Sequence, residues 1–417
     1  MNRRTAVRSL ALVAAGSLTL AACTSGGEEP GGGGGAEPLR IGSLLPQTGS
    51  LSQLGPPEIA GVDLAQQEIN EAGGVLGSDV EVTHTDSSDA DHADVATQSV
   101  QELLGEEVAA IVGAASSQVT LNVIDDVVGA QTLMVSPANT ATELSGYDDF
   151  FFRTAPPDSV QGDVLGNLIA SDGNATLSIL VFNEAYGTGL RDVVQSTFES
   201  AGGTVTYGAA GDEFDPTEQN FSSIVSNALS SDPDAVAILA FTTQTPLIVQ
   251  ELVNQGFDMS KVYFVDGNLQ NFGSDFDPGT LEGAQGTLPG AFPSDEFRDR
   301  LLGVNDGLQD YSYAAESYDA TMLVALAAVK AGSTAPVDIQ AEMAAVSGAT
   351  DGTECTGFEE CAGLLEDGEE IAYQAVSGIG PFNDNNDPSA ANIGIYLFDG
   401  ENNNSFQRAE FGEVPAG

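Results

Sequence analysis

The strongest constraint on how this chain folds is a rhythm of strand-like and helix-like segments that runs twice. From Leu39, short runs of Val, Ile and Leu alternate with longer helical patterns: "LRIGSLLP", a helix over about 58–71, "DVEVTHTD", a helix near 93–104, "VAAIVG", a helix near 118–129, and "TLMVS". Runs this apolar predict strands covered on both faces, and strands separated by helices pair in parallel. After "FFFRTAPPDS" the cycle restarts: a helix over about 160–170, "TLSILVF", a helix near 190–201, "GTVTYGA", a helix near 218–229, "AVAILAF", a helix near 245–255, and "KVYFVD". Two like cycles predict an α/β protein of two lobes, each a mostly parallel sheet with helices on both faces.

Proline marks two of the crossings between lobes, at 155–158 and 288–293. The apolar helix in "YSYAAESYDATMLVALAAVKAG" is expected to return to the first lobe. "SGIGPFNDNNDPSAANIGIYLFDG" then reads as a third crossing followed by a strand of the second lobe. The expected limits are 39–156 plus about 291–379 for lobe 1, and about 157–290 plus 380–417 for lobe 2. Three crossings make a hinge, and a hinge leaves a cleft that opens and shuts.

The first 22 residues read as an export signal, with Arg3, Arg4 and Arg8 before an apolar stretch from Ala11 to Leu20. Leu20-Ala21-Ala22-Cys23 resembles the lipobox of bacterial lipoproteins, which makes Cys23 a lipidation site. The Gly-rich segment over 23–38 is then a tether from a membrane surface. No later run has the length and apolarity of a membrane span. The expected location is extracytoplasmic, lipid-anchored to the outer face of the cell membrane. Export also favours a local disulfide between Cys355 and Cys361 in "CTGFEEC". A metal site there is disfavoured, since the two histidines, His84 and His92, lie far off in sequence. No metal or cofactor is expected.

Charge narrows the partners. Lys and Arg number 11 against 62 Asp and Glu, a formal net charge of -51, which repels nucleic acid and anionic membrane surfaces. A solvated acidic surface accounts for this composition, and it stays soluble at high ionic strength; a saline habitat and a lineage habit are alternative origins for it.

The chemistry is expected where strands end, because ligands of open α/β sheets bind beyond the carboxyl ends of the strands. Ser116 and Ser117 in "VGAASSQV" stand between a strand and a helix. A serine there caps the helix, and the free N–H groups of the first turn attract an anion. Capping alone explains the pair as well as anion binding does. A nucleophile fits worse, since there is no GxSxG elbow and a Ser-His-Asp set is hard to build from two histidines. "SPANTATEL" repeats the logic after the next strand, with Thr140 and the backbone near Ala138 and Asn139.

The motif order "IGSLLPQTGSLSQLGPPEIAGVDLAQQEINEAGGVLG", "VGAASS", "SPANT", "FNEAYGTGL" and "YDATMLVALAAVKAG" resembles the leucine/isoleucine/valine-binding branch of type I periplasmic binding proteins, the solute receptors of ABC importers. The resemblance covers about 39–400. It implies that a ligand carboxylate is held by Ser117 with the backbone of Ala115, and by Ala138 and Thr140. It implies that Tyr186 covers the ligand and that Asp266 in "VYFVDGN" meets its ammonium, a charge-assisted pairing. Read locally, Tyr186 is equally a core aromatic and Asp266 a turn acid. Two positions depart from the pattern: Leu54 stands where an aromatic is common, as do Thr242 and Thr243. These two sites are expected to shape the side-chain pocket, and the changes admit a roomier or more polar ligand, including an amide or another small carboxylate. The expected function is capture of an amino acid or similar small solute for a membrane permease, by a monomer with no catalytic residues. An amide, urea or small-carboxylate binder, a ligand sensor and, least, a surface serine hydrolase are the alternatives.

Overall fold

The computed structural model describes residues 37–273 and 275–414. The export signal, Cys23 and most of the Gly-rich tether lie outside the described residues.

The first cycle comprises β1 (Arg40–Leu45), α1 (Gly55–Glu71), β2 (Glu81–Asp86), α2 (Ala93–Gly105), β3 (Ala110–Gly113), α3 (Ser117–Gly129), β4 (Leu133–Ser136) and β5 (Phe151–Arg153). Its five strands form one parallel sheet in the order β2-β1-β3-β4-β5. The period of two along each strand sorts the side chains by face. Ala110, Val112, Leu133, Val135 and Phe152 enter one core with α1, while Ile111, Met134 and Phe151 enter the other with α2 and α3. Both faces are therefore covered, which is why these strands read as unbroken apolar runs.

The second cycle comprises α4 (Asp158–Ser171), β6 (Thr176–Val181), α5 (Ala185–Ser200), β7 (Thr204–Tyr207), α6 (Ser222–Leu229), β8 (Ala235–Leu239), α7 (Thr245–Asn254), β9 (Val262–Phe264) and β10 (Gln285–Pro289). The chain then returns to the first lobe with α8 (Asp295–Val304), α9 (Ala314–Ala331), α10 (Pro336–Ala344), β11 (Thr353–Cys355), α11 (Gly357–Glu366) and β12 (Ile371–Tyr373). It finishes in the second lobe with β13 (Ala390–Phe398) and β14 (Asn404–Glu413). The second sheet has seven strands in the order β14-β13-β10-β9-β8-β6-β7. Here the structure adds to the sequence reading. β10 was not anticipated, and the closing segment supplies two antiparallel strands, not one.

Two details set the position of the cleft. Gly61 on α1 lies so close to the Ala314 carbonyl that a Cβ would sit 2.2 Å from it, so α9 starts against α1. Asp319 on α9 accepts the backbone N–H groups of Val376 and Ser377 and the Tyr373 hydroxyl, tying the third crossing to the first lobe. Cys355 and Cys361 form a disulfide with Cα atoms 5.3 Å apart, at the end of β11 and within α11.

Candidate functional site

The loops after β3 and β4 lie side by side and are stitched together. The Ser136 hydroxyl donates to the Ala114 carbonyl at 2.6 Å and accepts the Asn139 amide at 2.9 Å, while the Asn139 side chain donates to the Ala115 carbonyl at 2.9 Å. Gly113 makes the turn out of β3 at φ +132°, where any Cβ would strike the Leu44 carbonyl. The two serines divide their work. Ser116 is the helix cap, its hydroxyl accepting the Val119 amide at 3.3 Å. Ser117 reaches across instead and accepts the Ala141 amide at 3.3 Å. Its O–H keeps a proton to donate, and the first-turn amides of α3 have no intrahelical acceptor.

Arg153 holds this loop pair in place. Its guanidinium is fully buried, pairs with Asp387 at 2.6 Å, and donates to the carbonyls of Ala141 at 2.9 Å and Asn139 at 3.3 Å. One buried cation thus joins β5, the loop after β4 and the third crossing.

Across the cleft stands Asp266, at the end of β9. It is buried and accepts three donors: the Tyr186 hydroxyl at 2.5 Å, the Gln161 amide at 2.9 Å and the Tyr313 hydroxyl at 2.7 Å. Burial pushes its carboxyl above the usual range, against these hydrogen bonds. Asp158, at the start of α4, is fully buried, and its carboxylate oxygens complete no hydrogen bond among the described residues, although the Thr140 hydroxyl lies near enough to favour their charge. Burial, and then the nearby Asp266, push Asp158 well above the carboxylate range.

The two sides enclose a chamber of about 20 Å³, space for one water. Leu54, Ala115, Ser117, Ala138, Thr140, Tyr186 and Asp266 all line it, with Leu51, Phe241 and Tyr313. Thr242 is not brought to it. The Thr242 hydroxyl donates to the Ser50 carbonyl at 2.8 Å and so joins the lobes beside the chamber. The aromatic beside the chamber comes instead from the preceding residue. Phe241 lies flat on Tyr186, ring centres 5.7 Å apart and planes 8° from parallel.

Residues 38–364 match the family model for periplasmic binding proteins. The chain belongs to the periplasmic binding protein family. It is therefore a solute-binding protein and not an enzyme. Among its relatives is a chemotactic signal transduction system substrate-binding protein, BasB, of Halobacterium salinarum, 28% identical with 82% of this chain and 83% of the relative covered. The leucine-, isoleucine-, valine-, threonine- and alanine-binding protein of Pseudomonas aeruginosa is also 28% identical, over 72% of this chain and 80% of the relative. The branched-chain amino acid binding protein LivJ of Streptococcus pneumoniae, solved with isoleucine, has the same fold at a TM-score of 0.73 and 20% identity, covering 90% of this chain and 100% of that one.

Within this binding protein, four residues escaped the sequence reading: Asp158, Gln161, Phe241 and Tyr313. Asp158 follows two prolines at the start of a helix, where an acid ordinarily serves the helix dipole. Tyr313 sits in a run of tyrosines and alanines that reads as core. Only the fold brings Tyr313 to the chamber and Asp158 close to Asp266.

Proposed function

We propose that this chain is an extracytoplasmic receptor, lipid-anchored through Cys23, that takes an α-amino acid from the medium and delivers it to the permease of an ABC importer. The observation that carries this reading is the opposed chemistry of one chamber. Its first-lobe wall offers hydrogen-bond donors at Ser117, Thr140 and the backbone near Ala115 and Ala138. Its second-lobe side presents Asp266, with the unpartnered Asp158 behind. Donors suit a carboxylate and buried carboxylates suit an ammonium, so an amino acid's two charges are met from opposite sides. Tyr186 and Phe241 cover the ligand, and Leu54 bounds its side chain. Thr242 acts from the seam between lobes.

We assign lobe 1 to 39–156 plus about 291–379 and lobe 2 to the remainder of the body. Because contacts from both lobes are complete only when the cleft is shut, the ligand favours the shut form by its differential affinity. The partner in solution is the solute alone, and the protein acts as a monomer.

Calorimetric titration of an amino-acid panel tests this. Replacing one member of a buried charge pair costs about 2–5 kcal/mol, so Asp266→Ala should weaken the best ligand at least about thirtyfold. Unchanged affinity would overturn the ammonium assignment. A second reading, sensing in place of uptake, is favoured by the chemotactic system named for the Halobacterium relative. Co-purification with a permease supports uptake; co-purification with a transducer supports sensing.

A further inference from the structure

A second, larger cavity adjoins the chamber. It measures about 470 Å³, within the range of small-molecule sites, and Tyr313 lines both spaces. On the chamber side the Tyr313 hydroxyl bonds Asp266. The larger cavity runs along the second crossing and is walled by aromatics. Phe292 is stacked on Phe406 with ring centres 5.0 Å apart, and Tyr396 meets Phe406 edge-on. Phe292 is 41% exposed, so packing within the fold does not explain its ring. The Arg298 guanidinium lies 5.1 Å from the Phe292 ring and 5.8 Å from that of Tyr311. Arg298 pairs with Asp295 through Nη2, but its Nε is buried with no acceptor among the described residues.

We infer that the solute's side chain passes Tyr313 into this cavity, and that the ligand is an α-amino acid bearing a flat aromatic group with a polar end. The inference rests on the α-amino-acid reading above and specifies which amino acids. Its physical basis is continuity. The chamber has no room beyond the charged anchors, and Leu51, Leu54 and Phe241 close its apolar side with buried, packed rings and chains. The neighbouring space with volume lies behind Tyr313. A ligand ammonium at Asp266 takes over the partner that Tyr313 now bonds, which frees the tyrosine to swing aside. The Phe292 and Phe406 faces then take an aromatic ring by stacking. The unsatisfied Nε of Arg298 takes a phenol oxygen, since a buried donor without an acceptor is costly to leave so. Two further acids line the cavity, Asp310 and Glu316. Burial raises Glu316 to about 8, so it adds little negative charge at neutral pH.

The test is calorimetry on the full chain in detergent with alanine, valine, leucine, phenylalanine and tyrosine. Tyrosine and phenylalanine should bind at least about tenfold more tightly than valine, the expected yield of one stacked ring in a fitted site. Phe292→Ala and Arg298→Ala, each first shown by its melting curve to be folded, should weaken tyrosine about tenfold and leave alanine and valine within about twofold. If leucine or valine outranks both aromatic amino acids, or if the two variants leave tyrosine binding unchanged, the cavity is not part of the ligand site. The amino-acid reading survives that result. If no amino acid binds at all, that reading falls first and this inference falls with it.

Discussion

Asp158 and Asp266 are two buried acids serving one small space, and their surroundings push them apart. Asp266 has three donors that favour its charge; at Asp158 the nearby Thr140 hydroxyl and the Arg153 charge do not offset burial, and the neighbouring Asp266 charge raises it further. The unliganded protein therefore keeps the proton on Asp158. A solute ammonium favours the ionised form, lowers that raised value and expels the proton, so affinity should rise with pH between the bound and free values of Asp158. Titrations in two buffers of different ionisation enthalpy should show proton release in the wild type and none in Asp158→Asn. Equal release by both would remove Asp158 from the binding step. The same shift means the native state holds a proton the unfolded chain has lost. Unliganded stability should thus fall as pH rises above the ordinary carboxyl range toward the raised value.

At the scale of elements, the Arg153–Asp387 pair binds segments more than two hundred residues apart in sequence and fixes the loop that carries Thr140. Arg153→Met leaves Asp387 buried without its cation, which should cost about 3–5 kcal/mol in urea denaturation. The double variant with Asp387→Leu should recover much of that loss; no recovery would mean that the guanidinium's bonds to the Ala141 and Asn139 carbonyls matter more than the ion pair. Legibility in the sequence follows the same physics. β1, β3, β4 and β8 were readable because a strand covered on both faces must be apolar throughout. β10 was not, because "QGTLP" has too few apolar residues to announce itself and gains its strand geometry from β9 and β13 on either side. β14 lies at the sheet edge and is largely exposed, so solvent leaves it polar and loop-like in sequence. Ser117 and Thr140, on loops that directly follow strands, could be singled out as candidates from position, whereas Asp266 was a candidate only through the family resemblance; all three line the chamber. Phe241 and Tyr313 reach the chamber, and Asp158 the neighbourhood of Asp266, only through the crossing and the packing of the lobes, which no local pattern encodes.

Over the whole molecule, the net charge of -51 acts on closure as well as on solubility. Glu184 at the start of the second lobe's α5 shares the rim of the cleft with Asp89 and Asp91 of the first, and His92 is bonded to Asp89 at 2.7 Å. Burial, then Asp91 and Asp89, raise Glu184 to about 8, so its ionised form is disfavoured where the rim is shut. Salt pulls two ways. It weakens the attraction between a solute ammonium and Asp266 only slightly, since that site is buried, but it strongly screens the rim and the acidic surface. Raising potassium chloride from about 0.1 M to about 1 M, which shortens the screening length from about 10 Å to about 3 Å, should therefore raise the melting temperature and tighten solute binding together. At a pH above that raised value, where Glu184 is ionised, Glu184→Gln should flatten the salt dependence of binding while leaving that of melting largely intact, because it removes one rim charge out of many surface ones. Binding that weakens with salt would mean that the ammonium contact, and not repulsion at the rim, governs how easily the lobes shut.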